Sequence, residues 1–145
     1  MKKIFLADDD DDDRMFFEDA LKKVSIPTQL TLSNDGLELM SHLETVIKPP
    51  PPDVIFLDLN MPRKNGFQCL EEIRNTPKLK DIPIVIFSTT ASEDAVNKTY
   101  EHGAHHYICK PHSFELLVKA IETVLTTEMW LKPQPPREKF VLIIT

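Results

Sequence analysis

Apolar and polar positions follow two rhythms along the chain. Short apolar or alternating runs occur at Lys2 to Ala7, Thr28 to Ser33, Val54 to Leu57, Ile82 to Phe87 and His105 to Cys109. Runs of this length read as strands, and the unbroken Val54-Ile-Phe-Leu57 reads as a strand covered on both faces. Leu30 and Leu32 face one way, as on a strand near a sheet edge. Between these runs the period lengthens to that of a helix. Phe17, Ala20, Leu21 and Val24 make one stripe, and Leu39, Met40, Leu43, Val46 and Ile47 a second. A third helix is expected from about Gly66 with Phe67, Leu70 and Ile73, stopping before Pro77. A fourth starts at Ser92-Glu93-Asp94 and ends at Gly103, and a fifth starts near His112 or Ser113 and buries Leu117, Ala120, Ile121, Val124 and Leu125.

The punctuation fits this division. Pro27 closes the first helix, Asn34-Asp35-Gly36 and Asn65-Gly66 turn into the second and third, and Pro49 to Pro52 form a stiff polyproline II connector. Of the aspartates Asp8 to Asp13, a central one is expected to be the N-cap, with later ones favouring the positive end of the helix dipole. Strand and helix alternate five times, which predicts a doubly wound α/β domain with a parallel sheet. The division is 1–128 for this domain and 129–145 for a Pro-rich tail with an apolar end, Phe140 to Ile144. A free apolar strand is an aggregation liability, so the tail is expected to dock on its own domain or on a second copy in a homodimer.

Composition narrows the function. The chain has 145 residues, 41% apolar and 28% charged, as an ordinary soluble globular domain does. Its net charge of −6 argues against nucleic acid as a main partner. No apolar run approaches the ~20 residues of a membrane span. Ile4 to Ala7 is too short for a signal peptide, and Cys69 and Cys109 lack metal-ligand spacing, so a cytoplasmic protein with reduced thiols is expected. Neither GxGxxG nor GxxxxGK[ST] is present, which leaves nucleotide-binding readings without support.

Polar residues mark four strand ends: Asp8-Asp9, Asp58, Ser88 and Lys110. In a parallel sheet these ends share one edge, where open α/β folds place their chemistry. Two carboxylates about 5 Å apart repel by roughly 3 kcal/mol at an effective dielectric of 20, so such a cluster needs a cation. Oxygen-only ligands suggest Mg²⁺ rather than Zn²⁺. A carboxylate beside Mg²⁺ and a lysine can attack phosphorus and form an aspartyl phosphate, with Ser88 hydrogen-bonding a phosphoryl oxygen.

This set resembles the receiver domain of two-component response regulators, the family of the chemotaxis receiver, over about residues 2 to 128. The matching residues are Asp8 and Asp9, Asp58 within Asp58-Leu-Asn-Met-Pro-Arg-Lys-Asn-Gly66, Ser88, and Lys110-Pro111. The resemblance implies a flavodoxin-like five-stranded sheet in the order 2-1-3-4-5 with helices on both faces. It implies that Asp58 is the phosphoacceptor of a sensor histidine kinase or phosphotransfer protein, and that Lys110 pairs with the phosphoryl group. Asp9, Asp58 and the backbone carbonyl of Asn60 would bind Mg²⁺, with Asp8 acting through water. Ser88 and Tyr107 would be the switch pair, and Asn60 and Thr90 occupy positions that tune phosphate lifetime. The output surface would be the fourth helix, fifth strand and fifth helix, facing a downstream protein that the sequence does not name. With about seventeen residues after Glu128, a single-domain receiver is expected, a phosphoacceptor signalling protein and not a turnover enzyme.

Two other classes compete. A Mg²⁺-dependent phosphotransferase or phosphatase would share the aspartyl phosphate but needs a substrate-covering cap. A binding module without phosphorylation would not need the acidic set. Aspartates at a helix start are usually caps and solvated charge, which suffices for Asp11 to Asp13 but not for Asp58. His102, His105 and His106 straddle a helix end and a strand start without a convergent ligand set, so structural roles are expected for them. Cys109 is expected in the core, and Asn97-Lys-Thr99 is a sequon without consequence in a cytoplasmic protein.

Overall fold

The computed structural model describes residues 1–45, 51–127 and 133–145. Strands β1 (Lys2–Ala7), β2 (Thr28–Ser33), β3 (Val54–Leu57), β4 (Ile84–Ser88) and β5 (His106–Cys109) alternate with helices α1 (Asp11–Lys23), α2 (Gly36–Thr45), α3 (Gly66–Arg74), α4 (Glu93–Glu101) and α5 (Phe114–Thr126). All strand pairs are parallel, in the order β2-β1-β3-β4-β5, as the resemblance implied. β4 and β5 start slightly later than the apolar runs suggested, because Ile82, Pro83 and His105 belong to the connections.

The period of two sorts each strand between two cores. Ile4, Leu6, Val54, Phe56, Val85, Phe87 and Ile108 meet α1 and α5 through Phe17, Ala20, Leu21, Leu117, Ala120, Ile121, Val124 and Leu125. Phe5, Ala7, Ile55, Leu57, Ile84 and Ile86 meet α2, α3 and α4 on the other face, through Leu39, Leu43, Leu70, Ile73 and Val96. The central strands are apolar throughout because both faces are covered. Val46 and Ile47 of the expected second stripe, and Pro49 and Pro50 of the proline connector, lie outside the described residues.

Helix ends are chemically specified. Asp10 is the N-cap of α1, its carboxylate accepting from the N–H groups of Asp12 and Asp13. Asn65 and Gln68 form a reciprocal capping box on α3, and Ser92 and Ser113 cap α4 and α5. Gly103, at φ +93°, turns the chain out of α4.

The tail returns to the sheet. A short 3-10 turn spans Arg137–Lys139, and Phe140 enters the core between Tyr100 and Tyr107, with ring centroids 5.0 and 6.2 Å away. The Tyr107 N–H donates to the Phe140 carbonyl at 3.1 Å, and the Leu142 N–H donates to the Tyr107 carbonyl at 2.9 Å. Of the two docking modes expected for the tail, its own domain is the one observed. The β-prone Phe140 to Ile144 segment forms one parallel bridge, Tyr107 to Val141, in place of a full edge strand, and Ile143 stays exposed.

His102, His105 and His106 each have a local partner. The His102 ring faces the Lys98 carbonyl, His105 Nδ1 accepts from Arg74 and from the Ile84 N–H, and the His106 ring donates to the Phe140 carbonyl. Burial, then the Arg74 charge and His106, pushes His105 down to about 4, which suits its role as a neutral acceptor. Cys109 is exposed, contrary to the core position expected of it, because it is the last residue of β5 and its side chain leaves the sheet beside Thr89. Among the described residues no helix is long and apolar enough to cross a membrane.

Candidate functional site

The strand ends are joined by backbone hydrogen bonds that continue the ladder past each strand. The Asp8 N–H donates to Ser33, the Asp58 N–H to Ala7, and the Lys110 N–H to Ser88, at 3.1, 3.0 and 2.9 Å. The residues named from sequence therefore converge at the carboxyl edge. The point of convergence lies where the strand order reverses between β1 and β3.

Lys110 is the hub. Its Nζ lies 2.8 Å from Asp8 Oδ2, 2.8 Å from Asp13 Oδ2 and 3.2 Å from Asp58 Oδ2. Asp8 and Asp58 are buried, and Asp9 is exposed at the rim. Ligand oxygens of Asp8, Asp9 and Asp58 all lie within 4.8 Å of one another. Burial lifts Asp8 to about 6, against the opposing pull of Lys110, and burial likewise lifts Asp58. Burial alone would lower the Lys110 ammonium, but its hydrogen bond to Asp13, its contact with Asp8 and the Asp58 charge outweigh that and hold it above its ordinary value.

These groups fit a hard divalent cation. Asp8 Oδ2 is buried and has an ion-pair contact with Lys110 but no aligned hydrogen bond. Three carboxylates pair with one ammonium and Asp9 lies beside two of them, so negative charge remains for a cation to neutralise. Asp58 Oδ1 accepts from the Leu59 N–H at 2.8 Å, which leaves its Oδ2 on the Lys110 side.

The remaining predicted residues lie close by. Ser88 is buried, and its hydroxyl accepts from the Thr90 N–H at 3.2 Å. The Tyr107 ring is turned inward, with its phenol donating to the Thr90 carbonyl. Asn60 is exposed, and its side-chain amide reaches Thr90 Oγ1 at 3.4 Å, linking the loops after β3 and β4. Asp10 is committed to the α1 cap. Asp13, assigned to solvated charge from sequence, is instead a direct partner of Lys110. The available signal was its place on the first turn of α1, since helical side chains lean back toward the N-terminus and here toward the end of β1.

The loop from Asp58 to α3 is held tightly. The Gly66 N–H donates to the Leu59 carbonyl, and a Cβ on Gly66 would lie 2.2 Å from the Asp58 carbonyl oxygen. Arg63 adopts a left-handed φ of 64° and pairs with Asp35, whose carboxylate also accepts from the Glu38 N–H. The Glu38 N–H first, and Arg63 next, hold Asp35 below the usual carboxylate range.

Residues 4–122 match the family model described as "Response regulator receiver domain". Response regulator Rcp1 of Synechocystis sp. is 34% identical over 134 residues, covering 90% of this chain and 90% of that protein. The crystal structure of the phosphorylated cyanobacterial phytochrome response regulator RcpA superposes with a TM-score of 0.79 at 34% identity, covering 90% of this chain and 94% of its own. The Mn²⁺-bound form of Rcp1 gives 0.78 at 32% identity, covering 94% and 100%. With that coverage and the acidic edge described above, the chain belongs to the response regulator receiver domain family, signalling proteins that act as phosphoacceptor switches and bind a divalent metal.

Proposed function

We propose that Asp58 accepts a phosphoryl group from a sensor histidine kinase or phosphotransfer protein, and that its phosphorylation switches the binding of a downstream protein. The observation that carries this reading is the placing of Lys110 Nζ 3.2 Å from Asp58 Oδ2, beside a carboxylate cluster, at the sheet's switch point. Mg²⁺, held by Asp8, Asp9, Asp58 and the Asn60 carbonyl, would supply charge neutralisation for the phosphoryl oxygens. Asp58 attacks phosphorus through a carboxylate oxygen. Lys110 donates a hydrogen bond to the arriving phosphoryl group, and Ser88 offers a hydroxyl from β4. Ser88 and Tyr107 form the switch pair, and Thr90 lies between them through the bonds described above. Asp8, directly paired with Lys110, has a larger part than a role through water alone.

In this reading the protein is a phosphoacceptor and not a turnover enzyme, with 1–128 as the receiver and 129–145 as a tail whose apolar end can also serve a homodimer. Free thiols at Cys69 and Cys109 suit the cytoplasm. The likeness to a phytochrome response regulator makes a phytochrome the first upstream partner to try. Incubation with acetyl phosphate and Mg²⁺ tests the proposal. Labelling at one phosphoryl per chain, lost in Asp58→Asn, is the expected outcome. Repeated turnover of a small phosphoester would instead favour a phosphatase, and an unlabelled chain would favour a binding module.

A further inference from the structure

The first turn of α1 brings a carboxylate to Lys110 that the cation set does not include. Asp13 Oδ2 is 2.8 Å from the ammonium, nearer than Asp58 at 3.2 Å. An ammonium has three donors; here Lys110 donates to Asp13 and Asp58, and Asp8 makes only an ion-pair contact with it. Asp8 and Asp58 belong, with Asp9, to the group whose oxygens converge for a cation. Asp13 is the one lysine partner left uncommitted to that group.

Its placement is fixed by the chain around it. The Asp13 N–H donates to Asp10 Oδ1 at 3.1 Å, within the α1 cap. The Asp10 N–H donates to Asp8 Oδ1 at 3.0 Å, and Arg14 donates to the Asp8 carbonyl at 2.7 Å. The helical turn is thus tied to the end of β1. The Asp13 side chain is 35% exposed, so its charge loses little hydration in reaching Lys110. The lysine has a long flexible stem that is costly to order at the moment of reaction.

We infer that Asp13 is a positioning residue for phosphoryl transfer: it anchors the Lys110 ammonium so that one N–H already points to where the phosphoryl oxygen arrives. The inference rests on Asp58 being the acceptor. In the transfer, an Asp58 oxygen bonds to phosphorus while the bond from phosphorus to the donor atom breaks, a histidine nitrogen in the kinase or phosphotransfer protein and an acetate oxygen in acetyl phosphate. The leaving group, acetate when acetyl phosphate is the donor, keeps the electron pair. Lys110 donates a hydrogen bond and gives up no proton, and Asp13 touches neither reactant.

The test compares Asp13→Ala, Asp13→Asn and Asp12→Ala in the full chain. Asp12, exposed on the same turn, controls for the loss of one negative charge. Rates are measured with acetyl phosphate at saturating Mg²⁺, together with melting temperature and the NMR signal of the Lys110 ammonium in the Mg²⁺-loaded protein. Asp13→Ala is expected to lower the maximal rate about tenfold with unchanged melting, because a small misplacement of a catalytic group has an effect of this order. Asp13→Asn, which keeps an acceptor oxygen, restores most of the rate, and Asp12→Ala behaves as wild type. The Lys110 ammonium signal, slow to exchange in the wild type, broadens in Asp13→Ala. A wild-type rate in Asp13→Ala, an equal loss in Asp12→Ala, or an unchanged ammonium signal would overturn the inference while leaving Asp58 as acceptor. A wild-type chain that takes no label would overturn both.

Discussion

Asp8 shows how a single residue couples stability, protonation and metal. Burial raises its carboxyl from 3.8 to about 6, despite Lys110 beside it. The folded chain then holds this proton more tightly than the unfolded chain does. The resulting stabilisation is fully present below about pH 4 and is lost as pH rises through about 6. By neutral pH the buried charge amounts to a difference of roughly 3 kcal/mol in the metal-free protein. A divalent ion relieves that burden and must displace the proton first. Mg²⁺ affinity, followed by calorimetric titration between about pH 5 and 7.5, should therefore weaken on the acid side by about tenfold per pH unit below 6. The raised Asp58 carboxyl acts in the same direction. Asp8→Asn should make the profile shallower, and a slope unchanged by that substitution would contradict the assignment.

At the scale of the element, α1 carries more of the site than its apolar stripe suggests. Its cap on Asp10 satisfies two N–H groups and sets the turn that holds Asp13. Asp10→Ala should lower stability by about 1 kcal/mol, a fall of a few degrees in thermal melting, and should slow phosphorylation through the loosened Asp13. The periods of strand and helix were readable in the chain because each face is either fully covered or clearly exposed, as Val54 to Leu57 and the Phe17 stripe illustrate. The polar strand ends were readable because a carboxylate closing an apolar run has few structural explanations. Asp13 was hidden for the opposite reason, since within six consecutive aspartates one side chain's direction is set by the helix start and not by composition. Cys109 was misplaced because alternation decides burial inside a strand and fails at its last residue. That the tail docks was readable from its apolar end, but where it docks was not, because its parallel contact with β5 is a pairing distant in sequence.

For the whole molecule, Phe140 joins the tail to the α2–α3–α4 face of the sheet. Its ring is fully buried, so Phe140→Ala should cost about 3 to 5 kcal/mol of local stability. The loss should appear as release of the arm before any global unfolding. Amide exchange at Tyr107 and Leu142, whose N–H groups make the bridging bonds, should accelerate by roughly 100-fold or more, while Ile55 in the sheet centre keeps its protection. Equal acceleration at all three would show instead that the arm and the sheet unfold as one unit. The docked arm has a further consequence for any partner that uses the edge of β5. A tethered segment acts at an effective concentration on the millimolar scale, far above that of a free competitor in solution. Such a partner would be held to an apparent affinity scaled by the fraction of time the arm is away. The edge of β5 therefore has a built-in threshold, set by Phe140, and a weak or scarce partner would stay below it.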